Sequence, residues 1–487
     1  EALFMSAEAN APVSDKTGLR ANTIGLTGVL FQSITTMAPA SAVAFSLGAA
    51  IPFTGGALPL AVIIALVVCM LVAVNIGSMA RHLPSAGSFF TYVSRALGPQ
   101  AGWMTGWLFN LAYLLIVPFQ LLVLGPVADQ FAQQYLNIHL GANGWIVWAA
   151  FFAVIIFLLT YFGIRVSTNA GVILGFIEIG IFVLLSLWLI FAPGTQNTIA
   201  AFNPASSGQQ GLGGWQGVLV GMLFVFTAFA GFESSAPLAE ESHNPRRAVP
   251  RAVLLSTLVI GLFYILCSYA GVVGWGIGKL PGYLTDSNPW ATMAGRVWGG
   301  FSFIVILTIL NSALANSNAG VNAITRTLYA MSRTRTLPPW LAHLNRYKVP
   351  DMALFLSLVV AAVMALVAGL LYGPFPGGFS FLGAILTFPI LIVYVATSVS
   401  VCVFYLREHR NEFSIFWHVI VPLIPALVLI AVIYQQIIAL TAPSNLAIPI
   451  VIGWFVLGLI IVVLLSRFAP EALARANRIY SEEEVQD

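Results

Sequence analysis

The chain has 487 residues, 59% of them hydrophobic and 8% charged, with a net charge of +3. A soluble globular protein carries about 25% charged residues, so this chain cannot cover its surface with water-facing side chains and lipid must solvate much of it. No phosphate-binding loop or nucleophile–base pair is readable, which argues against an enzyme, and no nucleic-acid partner is expected. Cys69, Cys267 and Cys402 each lie in an apolar run and the six histidines are scattered, so neither a disulfide, a metal centre nor a cofactor is expected.

Glu1 to Phe4 read as foreign to the native chain, with Met5 as its start. The polar stretch 1–22 lacks the apolar core of a signal peptide and is expected to be an N-terminal tail on the cytoplasmic side. A membrane helix needs about 20 mostly apolar residues. Twelve stretches qualify: 24–50, 57–79, 101–128, 144–162, 168–192, 215–240, 251–275, 295–322, 352–373, 378–405, 415–438 and 445–467. With the N-terminus inside, every Lys and Arg except Lys279 and Arg296 falls on the cytoplasmic side. The positive-inside rule therefore supports both the count and the direction, and puts the C-terminal tail 468–487 inside too. The expected class is an all-α integral membrane protein of the cell's inner membrane, with both termini cytoplasmic.

The first span carries an interruption, Thr35-Thr36-Met37-Ala38-Pro39-Ala40-Ser41-Ala42. Pro39 lacks an N–H and clashes with the preceding turn. Residues 80–98, between the second and third spans, are too amphipathic to cross and suggest a short surface or re-entrant helix. Glu178 lies deep in the fifth span. The sixth holds a second interruption, Phe229-Ala230-Gly231-Phe232-Glu233-Ser234-Ser235, with a carboxyl beside the glycine. The eighth is rich in Asn and Ser, from Asn311 to Asn322. Polar glue between helices and a solute pathway account for it equally well. The connector 323–350 again reads as a surface or re-entrant segment.

Two interruptions five spans apart favour a pair of broken helices, the device by which carriers build a midplane binding site, over a proline kink and a packing glycine. Intramembrane carboxyls are costly and usually functional. Held away from water, Glu178 and Glu233 could exchange a proton or neutralise a cation. Tyr113, Phe229 and Phe232 could close such a site, although aromatics at this spacing also serve as packing.

Four segments resemble the amino acid–polyamine–organocation transporter superfamily, bacterial branch: the broken first span running into Thr54-Gly55-Gly56; the loop HLPSAGSFFTYV; the sixth span FTAFAGFESSAPLAEESHNPRRAVPRAV; and RTLYAMSRTRTLPPWL. The resemblance is dense over residues 22–350. It implies an inverted repeat of five-plus-five helices, 23–192 and 215–405, with two peripheral spans in 415–467. It also implies a substrate site at the two breaks. The substrate carboxylate would meet N–H groups of Ala40, Ser41 and Ala42. The amine would meet carbonyls near Met37, Ala38, Phe229 and Ala230, with Gly231, Phe232, Glu233 and Tyr113 alongside. By counting from Gly163-Ile164-Arg165, Glu178 falls where some proton-coupled members carry a lysine.

The chain departs from that pattern too. Met37 to Ala42 replace the Gly-Ser-Gly of many amino acid members, and Ala112 stands where a putrescine-type carrier would have an acidic residue. The expected function is secondary active transport, by proton symport or exchange, of an amino acid or similar zwitterion. The alternative is a permease for an organic amine such as a polyamine or aminoalcohol.

Overall fold

The computed structural model describes residue 19, residues 22–208 and residues 211–475, giving backbone alone for 164–170. Most of both predicted tails, the acidic cluster Glu482–Glu484 and the side chain of Arg165 lie outside that description. Among the described residues the chain is almost entirely helical and has no strand beyond two isolated bridges.

The first predicted span is α1 (Leu26–Thr36), a short α2 (Pro39–Ser41), a π-helical turn Ala42–Ser46 and α3 (Leu47–Thr54); α4 (Leu58–His82) follows. The loop before the third span contains α5 (Phe89–Leu97). The third span is α6 (Pro99–Leu114) running into α7 (Ile116–Leu136). Next come α8 (Gly144–Tyr161), α9 (Ile164–Phe191), α10 (Gly214–Phe229) and α11 (Pro245–Trp275), then the short α12 (Leu280–Thr285) and α13 (Pro289–Trp298). The long α14 (Phe303–Arg333), α15 (Asp351–Tyr372), α16 (Phe379–Arg407), α17 (Val421–Ala439), α18 (Ala447–Phe468) and the terminal α19 (Pro470–Ala474) complete the chain.

Ten helical runs among the described residues are long and apolar enough to cross a bilayer. One of them, Leu26–His82, contains both of the first two predicted spans, and α10 is apolar but shorter. Their outer faces carry exposed Leu, Ile, Val and Phe, as on Leu423, Leu427, Ile430 and Ile437 of α17 and Ile452, Leu459 and Val463 of α18. In water such stripes would be a large apolar liability; in lipid they are ordinary. The inward faces of α4, α11, α10, α1 and α14 pack into one continuous core.

One expectation needs correction and another is narrowed. The connector 323–350 does not begin as a surface segment: α14 continues unbroken to Arg333, and residues 323–332 are buried. Arg326 can lie in that interior because it is paired there, as described below. The short helix expected in 80–98 exists, and its burial removes the surface alternative. Phe89, Tyr92, Val93 and Ala96 are buried, and α5 packs on α6 and α16.

Candidate functional site

Both interruptions are breaks in the helical backbone. In the first, α1 ends at Thr36 and Ala38 takes the left-handed conformation, with φ 48° and ψ 63°. The cause is local. A residue before proline is pushed out of the α region, while Pro39 itself suits a first helical turn because its missing N–H would be unpaired there anyway. For alanine the left-handed region costs roughly 1–2 kcal/mol, so surrounding contacts must hold it. In the second, α10 stops at Phe229 and Gly231 has φ 122°. Turns and a 3-10 helix, Ala236–Glu241, replace any α-helical second half, shortening the predicted 215–240 span.

The two breaks touch. A Cβ on Gly231 would lie 2.7 Å from the carbonyl carbon, the carbonyl oxygen and Cγ2 of Thr36. Gly231→Ala therefore meets both a forbidden φ and a backbone that cannot yield without moving α1. We expect it to cost at least about 2 kcal/mol, read as a lowered melting temperature. Gly180→Ala, within α9 and with nothing within 4 Å of its Cβ, should not lower the melting temperature.

Further contacts lace the breaks together. The Tyr264 hydroxyl of α11 lies 2.5 Å from the Met37 carbonyl and 2.9 Å from the Ala228 carbonyl, one from each broken helix. The Ser234 hydroxyl reaches the Thr36 hydroxyl at 2.7 Å and the Gln32 carbonyl at 3.2 Å. The Ser235 N–H donates to the Ser33 hydroxyl at 3.2 Å. On the other side of the first break, the Ser41 hydroxyl donates to Gln120 Oε1 at 3.1 Å, Gln120 Nε2 donates to Asn316 Oδ1 at 3.0 Å, and Asn316 Nδ2 donates to the Thr36 carbonyl. A polar relay thus runs from α2 through α7 and α14 back to the end of α1.

Glu233 is fully buried and has three donors. Tyr113 of α6 donates to Oε1 at 2.8 Å; Tyr394 of α16 at 2.8 Å and the Gly231 N–H at 3.1 Å donate to Oε2. A carboxylate accepts all three, whereas a carboxylic acid adds an O–H donor that needs an acceptor of its own, which the Tyr113 or Tyr394 hydroxyl can supply by rotating. The protonation state of Glu233 is therefore tied to its contacts with α6 and α16. Glu178 stands apart. Its carboxyl accepts from Asn311 Nδ2 at 3.0 Å and the Ser312 hydroxyl at 3.2 Å, bridging α9 to α14, and shares no hydrogen-bond partner with Glu233 among the described residues.

The structure thus gathers Met37, Ala38, Ala40, Ser41, Ala42, Tyr113, Phe229, Ala230, Gly231, Phe232 and Glu233 in and around the two breaks, nearly all of them buried. Phe229 packs edge-on against Tyr264 with ring centroids 5.3 Å apart, and Phe232 lies 5.3 Å from the Tyr394 ring. Sequence reasoning missed Tyr264, Tyr394 and Gln120. Each is a polar side chain within an apolar stretch, the signal that had singled out the two carboxyls.

At one end of the same helices a second polar layer closes the bundle. Arg326 donates from Nε to Glu241 Oε1 at 2.9 Å, both side chains being 1% exposed. Arg333 makes a two-pronged contact with Glu240, at 2.8 and 3.1 Å, and Glu240 also accepts the Ala86 N–H at 3.0 Å. The Glu241 carbonyl accepts the N–H groups of Thr23 and Ile24.

Paired helix breaks lined by backbone polar groups inside a lipid-facing bundle define a polytopic membrane protein of the carrier class. The amino acid permease family model matches residues 28–470, and the chain belongs to that family of transporters. It is similar to the branched-chain amino acid permease BcaP of Lactococcus lactis, 26% identical over 64% of this chain and 68% of that protein. It is similar to the low-affinity putrescine importer PlaP of Escherichia coli, 25% identical over 74% of this chain and 76% of that protein. It is also similar to the aromatic amino acid transport protein AroP of Corynebacterium glutamicum, 30% identical over 69% of this chain and 73% of that protein.

Proposed function

We propose that the protein is a proton-coupled symporter or exchanger of amino acids or related small zwitterions across the inner membrane. In this reading twelve spans, with both termini inside, form an inverted repeat over 23–192 and 215–405, followed by two peripheral helices in 415–467. The solute binds where the breaks meet.

The observation that carries this is the convergence of the Met37 and Ala228 carbonyls on one hydroxyl, that of Tyr264. Two carbonyls from two broken helices, aimed at one donor, make a seat that an ammonium group with its three N–H bonds can also fill. Across the first break, the amides of Ala40 and Ser41 lie in a first helical turn with no i−4 partner inside the helix, which favours a carboxylate. The pair suits a zwitterion. Glu178, bridged only by neutral donors, supplies the exchangeable proton. Glu233 couples occupancy to α6 and α16.

The second reading, an organic amine permease, draws on Glu233 as a partner for an ammonium and on the similarity to the putrescine importer. A thermal-shift screen separates them. We expect amino acids to raise the melting temperature of the purified protein, since a ligand bound by the native state alone stabilises it, and their decarboxylated amines to have no effect. Stabilisation by the amines alone overturns the zwitterion reading in favour of the second.

A further inference from the structure

The histidines that look scattered along the chain are not all apart in space. His82 ends α4, and His409 and Glu412 lie just beyond α16, more than 320 positions away. In the folded protein the two imidazoles have centroids 4.1 Å apart. Glu412 spans both: Oε2 is 3.6 Å from His82 Nε2, and Oε1 is 3.8 Å from His409 Nδ1. One ligand atom from each of the three residues lies within 4.8 Å of the others. The geometry points to a binding site for a zinc-like divalent transition-metal ion, with ligands His82, His409 and Glu412.

Three arguments support the assignment. The first is distance. Metal–ligand bonds of about 2.0–2.1 Å in a tetrahedral site put ligand atoms roughly 3.4 Å apart. Both imidazole–carboxylate separations exceed that by only a few tenths of an ångström, within the reach of an exposed Glu412 and a loop-borne His409. The second is the holding frame. Phe404 and Tyr405 pack on both rings, at 5.7 and 5.6 Å from His82 and 5.0 and 6.0 Å from His409. Those walls restrict how the imidazoles turn, while the exposed side remains open for a water as fourth ligand. The third is ligand type. Two imidazoles and a carboxylate suit zinc, copper or nickel; magnesium and calcium want all-oxygen shells.

The bound ion would join the end of α4 to the segment following α16 and so oppose relative motion of the two. The test needs no knowledge of the solute. Full-length protein, freed of any oligohistidine tag and purified in detergent, is titrated with zinc chloride by calorimetry and by metal analysis after desalting. We expect saturation near one ion per chain and a raised melting temperature. His82→Ala and His409→Ala should each weaken binding by at least about tenfold. Glu412→Gln changes an exposed side chain, leaves the fold intact, and should lose both binding and the thermal shift. His343→Ala, in a separate pair with Asp351, should keep them. Absence of saturable binding by the parent, or undiminished binding by Glu412→Gln and His409→Ala, overturns the assignment.

Discussion

Proteoliposomes carrying Glu178→Gln are expected to lose uptake driven by an inward proton gradient, by at least about tenfold, and to retain solute counterflow. The substitution is nearly isosteric, and its amide can keep both existing contacts. Its oxygen accepts from Asn311, and its NH2 donates to the Ser312 hydroxyl, which can rotate to accept. The bridge between α9 and α14 therefore survives, and what disappears is the capacity to take up and release a proton. Counterflow needs only binding and reorientation and should continue. Uptake with its pH dependence unchanged would remove Glu178 from the coupling mechanism. Loss of counterflow together with uptake would instead make the carboxyl part of the solute site or of the fold.

Arg326→Met is expected to destabilise the protein by about 3–5 kcal/mol, because it strands the Glu241 carboxylate in the interior. Both side chains are 1% exposed, and Arg326 also reaches the Thr325 hydroxyl at 3.1 Å. The informative control is the double variant Arg326→Met with Glu241→Leu. A buried ion pair gains little over apolar residues of similar volume, since desolvation offsets its Coulomb energy; the double variant should therefore recover most of the lost stability. A single variant as stable as the parent would show that water reaches Glu241. The pair joins the 3-10 helix that follows the second break to α14, and the Glu241 backbone holds Thr23 and Ile24 just ahead of α1.

The membrane-protein class, the position of both breaks and the two costly carboxyls were legible in the residue order because their causes are local. Apolar length is a property of a stretch, Pro39 acts on its immediate neighbour, and a Glu within a greasy run needs no partner to be noticed. Gly231 was legible for the same reason, although the sequence showed only that the chain could unwind there. The close approach of Thr36 is what requires glycine. Where reading failed, the reason was pairing. The segment 323–333 looked too polar to continue a buried helix, since Arg326 shows its charge along the chain while Glu241, which neutralises it, is 85 positions away.

The same division runs through the site. Residue order by itself determined that lipid must surround this chain and that Glu178 and Glu233 stand where charge is expensive, and it favoured breaks around Pro39 and Gly231 over a proline kink and a packing glycine. Only the tertiary structure decided what those features face. Tyr113 and Tyr394 reach Glu233 from helices on either side, Tyr264 joins the Met37 and Ala228 carbonyls, and His82 meets His409 and Glu412. Hydrogen bonds and ligand sets depend on separations of a few ångströms between residues hundreds of positions apart. Periodicity and composition carry no information at that range, and packing sets every one of those distances.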